Sequence, residues 1–415
     1  MKLTQSLFMI SLAGLATGCA SQTTAVPPEA TIASVPSVNL PSMSEPQPRA
    51  ASLPIAASAV ASRPASAPVA APSPSVVKAP DGRALLDKLL PTKIPDRTGW
   101  ATDIFNAFTA LQIPPTPEYF CAAMAVIEQE SSWQADPVVP GLGKIVWKEI
   151  DQRAAKYHIP LFTVQAALMV PSLEGRSYKA RIDALQTEKQ MNDLFEAMIT
   201  EAPEVIRNLG IANPIRTGGP MQVGVDFAVA QTQVWSYPYP VKGSIRSEVF
   251  TRRGGVYFGI AHLLQYRAPY QDMKYRFADF NAGRYSSRNA AFQNALAKLT
   301  KTRIVPDGDL LIYQDGRPVN KPSNTTNALL GISTKLGLSA QEIATDLAKE
   351  KTSAFGQTPL YQRVFTLADK AAGSPIPREV SPQIRLQSSK ITRKLTTSWF
   401  AERVNGRYQQ CLARK

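Results

Sequence analysis

Histidine is scarce in this sequence, and the scarcity limits the chemistry that the chain can perform. Only His158 and His262 occur in 415 residues, and they lie far apart along the chain. No Cys/His cluster has the spacing of a zinc site, and no serine lies in a Gly-x-Ser-x-Gly turn. We therefore expect no metal centre, no cofactor and no serine nucleophile. His262, on an apolar helix, is expected to be a packed core residue.

Long apolar runs are missing as well. The run Leu7–Leu15 is too short to span a bilayer, and no later run is longer and equally apolar. It leads into Leu15-Ala-Thr-Gly-Cys19, which resembles the lipobox of bacterial lipoproteins. The resemblance implies that residues 1–19 are a signal peptide ending at a lipidated Cys19. Because Ala20 and not aspartate follows, we expect an outer membrane lipoprotein that faces the periplasm and is held to the membrane by its acyl chains.

Aromatic residues are lacking from the next segment, residues 20–80. From Ser21 to Pro80 it contains twelve prolines among alanine, serine, valine and threonine. Such a segment cannot bury enough apolar surface to offset its ordering entropy, so we expect a disordered tether. At ~3 Å per residue where it is polyproline-like, it could reach on the order of 100 Å towards a cell-wall polymer. A spacer of no tuned length is the open alternative.

Negative charge is in deficit, and the net charge is +14. The excess is largest in the predicted basic C-terminal helix, 372–415: from Arg378 to Lys415 nine residues are Lys or Arg and two are Glu. Secretion argues against a nucleic-acid partner. Carboxylate-bearing peptide stems or anionic lipid fit better, and a solvated helix face remains the alternative.

Strand-like alternation is also scarce, so the fold class predicted for residues 81–415 is mainly α. The length suits one large domain or two smaller ones. A hairpin is expected in Asp309–Pro318, where Asp-Gly suits the turn. Helices are predicted at about 83–90, 99–111, 117–131, 143–157, 161–169, 178–199, 222–232, 245–268, 273–281, 287–300, 324–335, 339–350, 358–371 and 389–411.

Only three cysteines are present, and lipidation of Cys19 would leave Cys121 and Cys411. An even pair in an oxidising compartment favours a disulfide, which would join the C-terminal helix to the helix at 117–131. Two buried free thiols are the alternative.

The helix predicted at 117–131 ends in a carboxylate. Pro117 and Glu118 suit its first turn, and apolar residues then recur at three- and four-residue spacing. A carboxylate set half against apolar surface is desolvated, so its pKa rises and it can act as a general acid. Glu130 is the candidate, and helical geometry alone does not separate it from Glu128. A solvated surface acid is the alternative.

Three short segments follow one another in the chain: Glu130-Ser-Ser-Trp133, Gly219-Pro-Met-Gln222 and Phe280-Asn-Ala-Gly283. In this order they resemble the motif set of the lytic transglycosylases, which have the goose-type lysozyme fold. Gly255–Leu263 is similar to the helix behind their cleft, and Pro359–Val364 to their closing Tyr-x-x-Val segment. The resemblance implies a lysozyme-like domain over 81–371.

The chain departs from that pattern in two places. The interval from Glu130 to Gly219 is far longer than the family's, which implies a helical insertion at about 140–215 that overhangs the cleft. Phe280 stands where the family usually has tyrosine, which removes one hydroxyl from the sugar site.

The resemblance also implies a mechanism and a set of site residues. Glu130 would protonate the bond between N-acetylmuramic acid and N-acetylglucosamine in peptidoglycan, then accept the proton of the muramic C6 hydroxyl as a 1,6-anhydro ring closes. Ser131 would position the acetamido group or the glutamate. A peptidoglycan-binding scaffold that does not cut, and a muramidase that adds water, are the alternatives. The remaining implied substrate contacts are Met221, Gln222, Phe280, Asn281 and Tyr361.

Overall fold

A computed structural model describes residues 79–208, 212–314, 316–386 and 395–414. The predicted signal peptide, Cys19 and nearly all of the tether lie outside the described residues. Within them the fold is mainly helical, as expected, and the strands are short. No helix of the described ranges is both long and apolar enough to cross a lipid bilayer.

The helices cover most of the described chain. They are α1 (Ala79–Leu89), α2 (Arg97–Ala110), α3 (Pro117–Ser131), α4 (Leu142–Ala155), α5 (Leu161–Ala167), α6 (Tyr178–Asp183), α7 (Glu188–Glu201), α8 (Glu204–Arg207), α9 (Val225–Val234), α10 (Ile245–Val249), α11 (Arg252–Leu264), α12 (Met273–Ala282), α13 (Ser286–Thr300), α14 (Asn324–Gly331), α15 (Ser333–Leu336), α16 (Ala340–Leu347), α17 (Pro359–Ala372) and α18 (Thr397–Leu412), with a 3-10 helix at Ser353–Gln357.

Three antiparallel pairs of two-residue strands complete the described structure. They are β1 (Thr217–Gly218) with β2 (Val223–Gly224), β3 (Tyr313–Gln314) with β4 (Arg317–Pro318), and β5 (Arg385–Leu386) with β6 (Leu395–Thr396). The pairing of β3 with β4 confirms the hairpin predicted within Asp309–Pro318.

Several predicted helices are divided or shortened, because capping side chains start new helices inside them. The helix predicted at 178–199 is two helices, since Thr187 and Gln190 form a capping box at the start of α7. The helix predicted at 245–268 is likewise α10 and α11, since the Thr251 side chain accepts from the N–H of Gly254.

Three further boundaries differ from the prediction. The helix expected to begin near Val223 begins at Val225, because Val223 and Gly224 pair as a strand. Residues 324–335 form α14 and α15. At the C-terminus, residues 395–396 form a strand and α18 begins at Thr397, capped by Thr396; positions 387–394 lie outside the described residues.

The described chain has two hydrophobic cores. The first joins α1–α3, the α4–α7 segment, α9–α12 and α18. The second joins α13 to α14–α17 and the 3-10 helix, with Phe292 and Phe355 at its centre. Helix α18 packs mainly against α3 and α12, so the basic C-terminal helix belongs to the first core.

The predicted disulfide is present in the structure. Cys121 of α3 and Cys411 of α18 are bonded, with their Cα atoms 5.5 Å apart and 290 residues between them in sequence. Both side chains are buried in the first core. The last helix is therefore tied covalently to the helix that carries Glu130.

The corner between α12 and α13 is fixed by a buried carboxylate. Asp279 Oδ2 accepts from the Tyr270 hydroxyl and from the N–H of Tyr285, each at 2.7 Å. Its Oδ1 accepts from the N–H of Ser287, also at 2.7 Å. Donors on both sides of the corner thus hold one fully buried group, and this sets the position of Phe280 and Asn281 beside it.

Candidate active site

Glu130 lies in the last turn of α3, at a sharply fixed chain reversal. The N–H of Ser132 donates to the Glu128 carbonyl, and Ser132 and Trp133 both have left-handed backbone, with φ of 49° and 63°. Such φ values are costly for residues other than glycine and persist only where packing enforces them. Here the buried Trp133 ring packs edge-on against Trp100, with the ring centroids 5.3 Å apart. The helix end that presents Glu130 is therefore held rigidly.

The Glu130 carboxyl combines partial exposure with strong desolvation. Its side chain is half-buried, yet the surrounding protein atoms raise its pKa to about 7, and burial is the cause. Among the described residues no cation forms an ion pair with it. At neutral pH the group therefore populates both the protonated and the ionised form, as an acid that must also serve as a base requires.

Glu128, the rival acid, has a different environment. Its Oε1 lies 3.5 Å from Nε of Arg407 on α18, and the two side chains form an ion pair. The Arg407 guanidinium therefore occupies one side of this carboxylate, whereas no such partner faces Glu130 within the described residues. The structure thus separates two carboxylates that the helical pattern alone could not.

The turn between β1 and β2 requires glycine at Gly219. Its φ is 72°, and a Cβ there would lie 2.1 Å from the carbonyl oxygen of Val249. Met221 follows and is fully buried against Gly259 of α11. The role predicted for Met221 as a substrate contact is therefore corrected: its side chain supports the turn from behind and has no surface for a ligand.

Gln222 is partly exposed and is bonded to a residue that the sequence did not single out. Its Nε2 donates to Oε2 of Glu188 at 2.7 Å and to the Gly219 carbonyl at 3.4 Å. Glu188 lies in the first turn of α7 and is 7% exposed. A carboxylate from the predicted insertion therefore orients the amide of a predicted substrate contact. The Thr187-x-x-Gln190 capping pattern marks the helix start, but nothing local marks the bond to Gln222.

The same part of the insertion is fastened to the chain that follows Glu130. The Thr187 hydroxyl donates to Oδ2 of Asp136 at 2.9 Å, and the N–H of Val139 donates to the Gln186 carbonyl at 2.8 Å. Residues 186–188 thus join the loop after α3 to the β1–β2 turn. That the insertion overhangs a cleft stays a prediction.

Phe280 and Asn281 lie on the last turn of α12 and are partly exposed. The Phe280 ring packs edge-on against His262, with ring centroids 5.1 Å apart. Asn281 Oδ1 accepts from the Thr397 hydroxyl at 2.9 Å, so the start of α18 holds this amide. Both side chains therefore have fixed positions at the surface of the first core.

His262 lies between two aromatic rings, Phe227 at 4.7 Å and Phe280. Burial and the nearby Arg284 guanidinium lower its pKa to about 3, so it is neutral near pH 7. It is half-buried and packed, as expected of a core histidine. Within the described ranges no group of His, Cys, Asp or Glu could hold a metal ion.

Helix α11 contacts the elements that carry the three predicted segments. It packs against α3, which carries Glu130, and against β2 and α12. Met221 touches it at Gly259, and Phe280 touches it at His262. The segment Gly255–Leu263 therefore lies against elements that carry all three segments, and its place behind a cleft stays a prediction.

Two predicted contacts are not supported. Ser131 is buried, and its hydroxyl donates to the Ile127 carbonyl at 2.8 Å, so it is used within α3. Tyr361 lies in the second core, with its ring 4.7 Å from that of Phe365 and stacked on Phe292, and burial raises its pKa to about 12. It is buried there because α17 turns its apolar face inward, and it is not brought to Glu130.

Comparisons with known proteins identify a family but no activity. A family model described as "Protein of unknown function (DUF1615)" matches residues 93–414, which include the site, the second core and all of the first core except its residues in and directly after α1. A relative from Escherichia coli (strain K12), described as "Uncharacterized protein YaiW", is 46% identical over 335 residues, covering 81% of this chain and 90% of the relative. No solved structure matches the chain significantly. The lysozyme-like fold therefore stays a prediction.

Proposed function

This chain belongs to the family DUF1615, and we propose that it is a peptidoglycan lytic transglycosylase. The proposed reaction cleaves the β-1,4 bond from N-acetylmuramic acid to N-acetylglucosamine and forms a 1,6-anhydro ring. The observation that carries the proposal is Glu130: a half-buried carboxyl with a pKa of about 7, at a rigid helix end, without an ion-pair partner in the described chain.

The proposed mechanism needs one carboxyl group. In its protonated form Glu130 donates to the glycosidic oxygen as the bond from that oxygen to C1 of the muramic sugar breaks. The resulting carboxylate then accepts the proton of the C6 hydroxyl, whose oxygen bonds to C1. The proton on Glu130 is restored and no water is consumed. A pKa near 7 suits both steps, and the substrate's acetamido group can stabilise the positive charge that develops at C1.

Three side chains would contact the glycan beside Glu130: Gln222, Phe280 and Asn281. Because the amide N–H of Gln222 donates to Glu188, its carbonyl oxygen is directed to accept from a sugar hydroxyl or an acetamido N–H. The Phe280 ring offers an apolar face to a sugar ring. Asn281, held by Thr397, offers an amide.

We also propose that the protein is an outer membrane lipoprotein that faces the periplasm. The membrane would hold it through acyl chains on Cys19, peptidoglycan would be its substrate, and no nucleic acid would bind. The Cys121–Cys411 disulfide supports an oxidising compartment.

A binder that does not cut is the second candidate, and one contact favours it. Glu188 of the insertion occupies the amide N–H of Gln222, which would otherwise be open to a sugar. Such a site could retain glycan without driving the reaction.

One experiment separates these functions. Purified sacculi are incubated with the protein and the released muropeptides are weighed by mass spectrometry. Anhydro ends, lighter by one water than reducing ends, are the expected product. Reducing ends would identify a muramidase, and co-sedimentation without release would identify a binder.

A further inference from the structure

The predicted insertion carries an exposed apolar edge, which we define as Tyr157, Phe162, Met169, Val170 and Leu173. The exposed fractions of Leu173 and Phe162 are 89% and 72%, and those of the other three lie between 54% and 59%. Isolated exposed apolar residues are normal on a soluble protein, but a run of large ones within one short segment marks an interaction surface.

The geometry of α5 places part of this edge on one face. Val164 and Leu168 are four residues apart and buried, so they form the inner face of the helix. Phe162 lies on the opposite, exposed face of α5, and Met169 is exposed in the turn that follows the helix. The helix is thus apolar on both sides, and only one side is covered by the protein.

The loop after α5 holds Leu173 beside that face. The N–H of Tyr178 donates to the Val170 carbonyl, and the N–H of Ser172 donates to the Arg176 carbonyl at 2.9 Å. Glu201 Oε2 accepts from the N–H of Leu173 at 2.9 Å and from the Tyr178 hydroxyl at 2.5 Å. The backbone at the tip is therefore fastened to α7 while the Leu173 side chain points outward.

Two exposed cations lie beside the apolar edge. Lys156 and Arg176 are exposed, and neither forms an ion pair within the described residues. The acid of this segment, Glu174, is paired with Arg181 at 3.0 Å. Lys179 is paired with Asp183 at 2.8 Å. Among the described residues Asp151 is an exposed acid without an ion pair, and the Glu201 carboxylate lies at the Leu173 backbone, so Lys156 and Arg176 supply positive charge beside the apolar edge without making its surroundings uniformly cationic.

We propose that this edge inserts into the interfacial region of a bilayer that contains anionic phospholipid. Phe162, Met169 and Leu173 would enter the acyl boundary, and Tyr157 would lie at headgroup level, where aromatic rings with a polar tip are stable. Lys156 and Arg176 would meet the lipid phosphates. The proposal depends neither on the chemistry of Glu130 nor on lipidation of Cys19.

Vesicle co-sedimentation tests the proposal with the full chain carrying Cys19→Ser, so that no acyl chain contributes. We expect binding to vesicles of phosphatidylethanolamine with phosphatidylglycerol, and weaker binding to phosphatidylcholine alone. The double variant Phe162→Ser/Leu173→Ser should bind at least about tenfold more weakly, because two large apolar side chains no longer enter the bilayer. The matched control Val234→Ser/Val305→Ser removes exposed apolar residues elsewhere and should bind like the parent.

Two further measurements keep the test independent of folding. Lys156→Gln/Arg176→Gln should weaken binding to the anionic vesicles alone and reduce its salt dependence. In a Phe162→Trp variant, the tryptophan emission should shift to shorter wavelength on addition of those vesicles, relative to the parent. The proposal is overturned if the parent binds neither vesicle, or if Phe162→Ser/Leu173→Ser binds as well as the parent. Light scattering that shows a dimer which this double variant dissociates would overturn it in favour of a second copy.

Discussion

Glu128 and Glu130 lie two residues apart on one helix turn, but within the described part of the chain only Glu128 forms an ion pair, with Arg407 of the C-terminal helix. The Arg407 guanidinium lies against one carboxylate, whereas burial raises the pKa of the other to about 7. The two acids can therefore be distinguished by experiment, and each serves as the control for the other.

The pH dependence of stability should report the buried carboxyl. The pKa of Glu130 is about 7, against an ordinary value of 4.5, so the unfolded chain binds fewer protons between these pH values. Its contribution to stability is thus present below about pH 4.5 and lost as the pH rises through about 7. By chemical denaturation, Glu130→Gln should be more stable than the parent by about 1–3 kcal/mol at pH 8 and about equal to it near pH 4.

Glu128→Gln is the matched control for that measurement. It removes an ion pair that is partly exposed, so it should cost at most about 1 kcal/mol and give no gain at high pH. A stability difference for Glu130→Gln that does not change with pH would contradict the assigned pKa.

The disulfide should contribute strongly to stability. Replacing Cys121 and Cys411 by serine opens a loop of 290 residues, and we expect a loss of about 2–5 kcal/mol. Thermal unfolding with and without reductant checks this: reductant should lower the Tm of the parent and leave that of the double variant unchanged. A free-thiol assay on the unreduced Cys19→Ser chain should find none, and two free thiols would contradict the bridge.

Glu188 and Gln222 should act as a unit. If Glu188 orients the amide, then Glu188→Ala and Gln222→Ala each weaken sacculus binding, and the double variant is little worse than either. The coupling in the double-mutant cycle should be about 0.5–3 kcal/mol. Glu204→Ala, an exposed acid of the same insertion, is the control. Strict additivity would show that the 2.7 Å bond has no role in binding.

Tyr361 should behave as a core residue. Tyr361→Phe keeps the ring and is expected to change the rate of sacculus digestion by less than about threefold, whereas Tyr361→Ala should lower the free energy of unfolding by about 3–5 kcal/mol. Unfolding by denaturant and the digestion assay measure the two effects. A large loss of activity in Tyr361→Phe, with stability unchanged, would contradict this assignment and show that the Tyr361 hydroxyl takes part in the reaction.

Short sequence patterns were sufficient to predict many of the helices and the β3–β4 hairpin. Thr116, Pro117 and Glu118 specify the start of α3, and the Asp-Gly pair specifies the β3–β4 hairpin. The breaks at Thr187 and Thr251 were missed, because the apolar periodicity continues across both residues. Each new helix there is started by a capping threonine side chain, which the periodicity does not reveal.

Apart from the Cys121–Cys411 disulfide, contacts between distant residues could not be predicted. No local sequence pattern indicates that Glu128 pairs with Arg407 or that Gln222 is hydrogen-bonded to Glu188. Each contact joins segments that are distant in sequence and forms only when those segments pack together. The burial of Met221 depends on the absence of a side chain at Gly259, and that of Tyr361 depends on a second core that the motif pattern does not encode.

Release of muropeptides from sacculi by Glu130→Gln and by Glu128→Gln is the most direct test of the proposed chemistry. Removing the general acid should slow release by about a hundredfold or more, while the loss of a paired acid beside it should leave release nearly intact. Release by Glu130→Gln at the parent's rate, with Glu128→Gln inactive, would contradict the account.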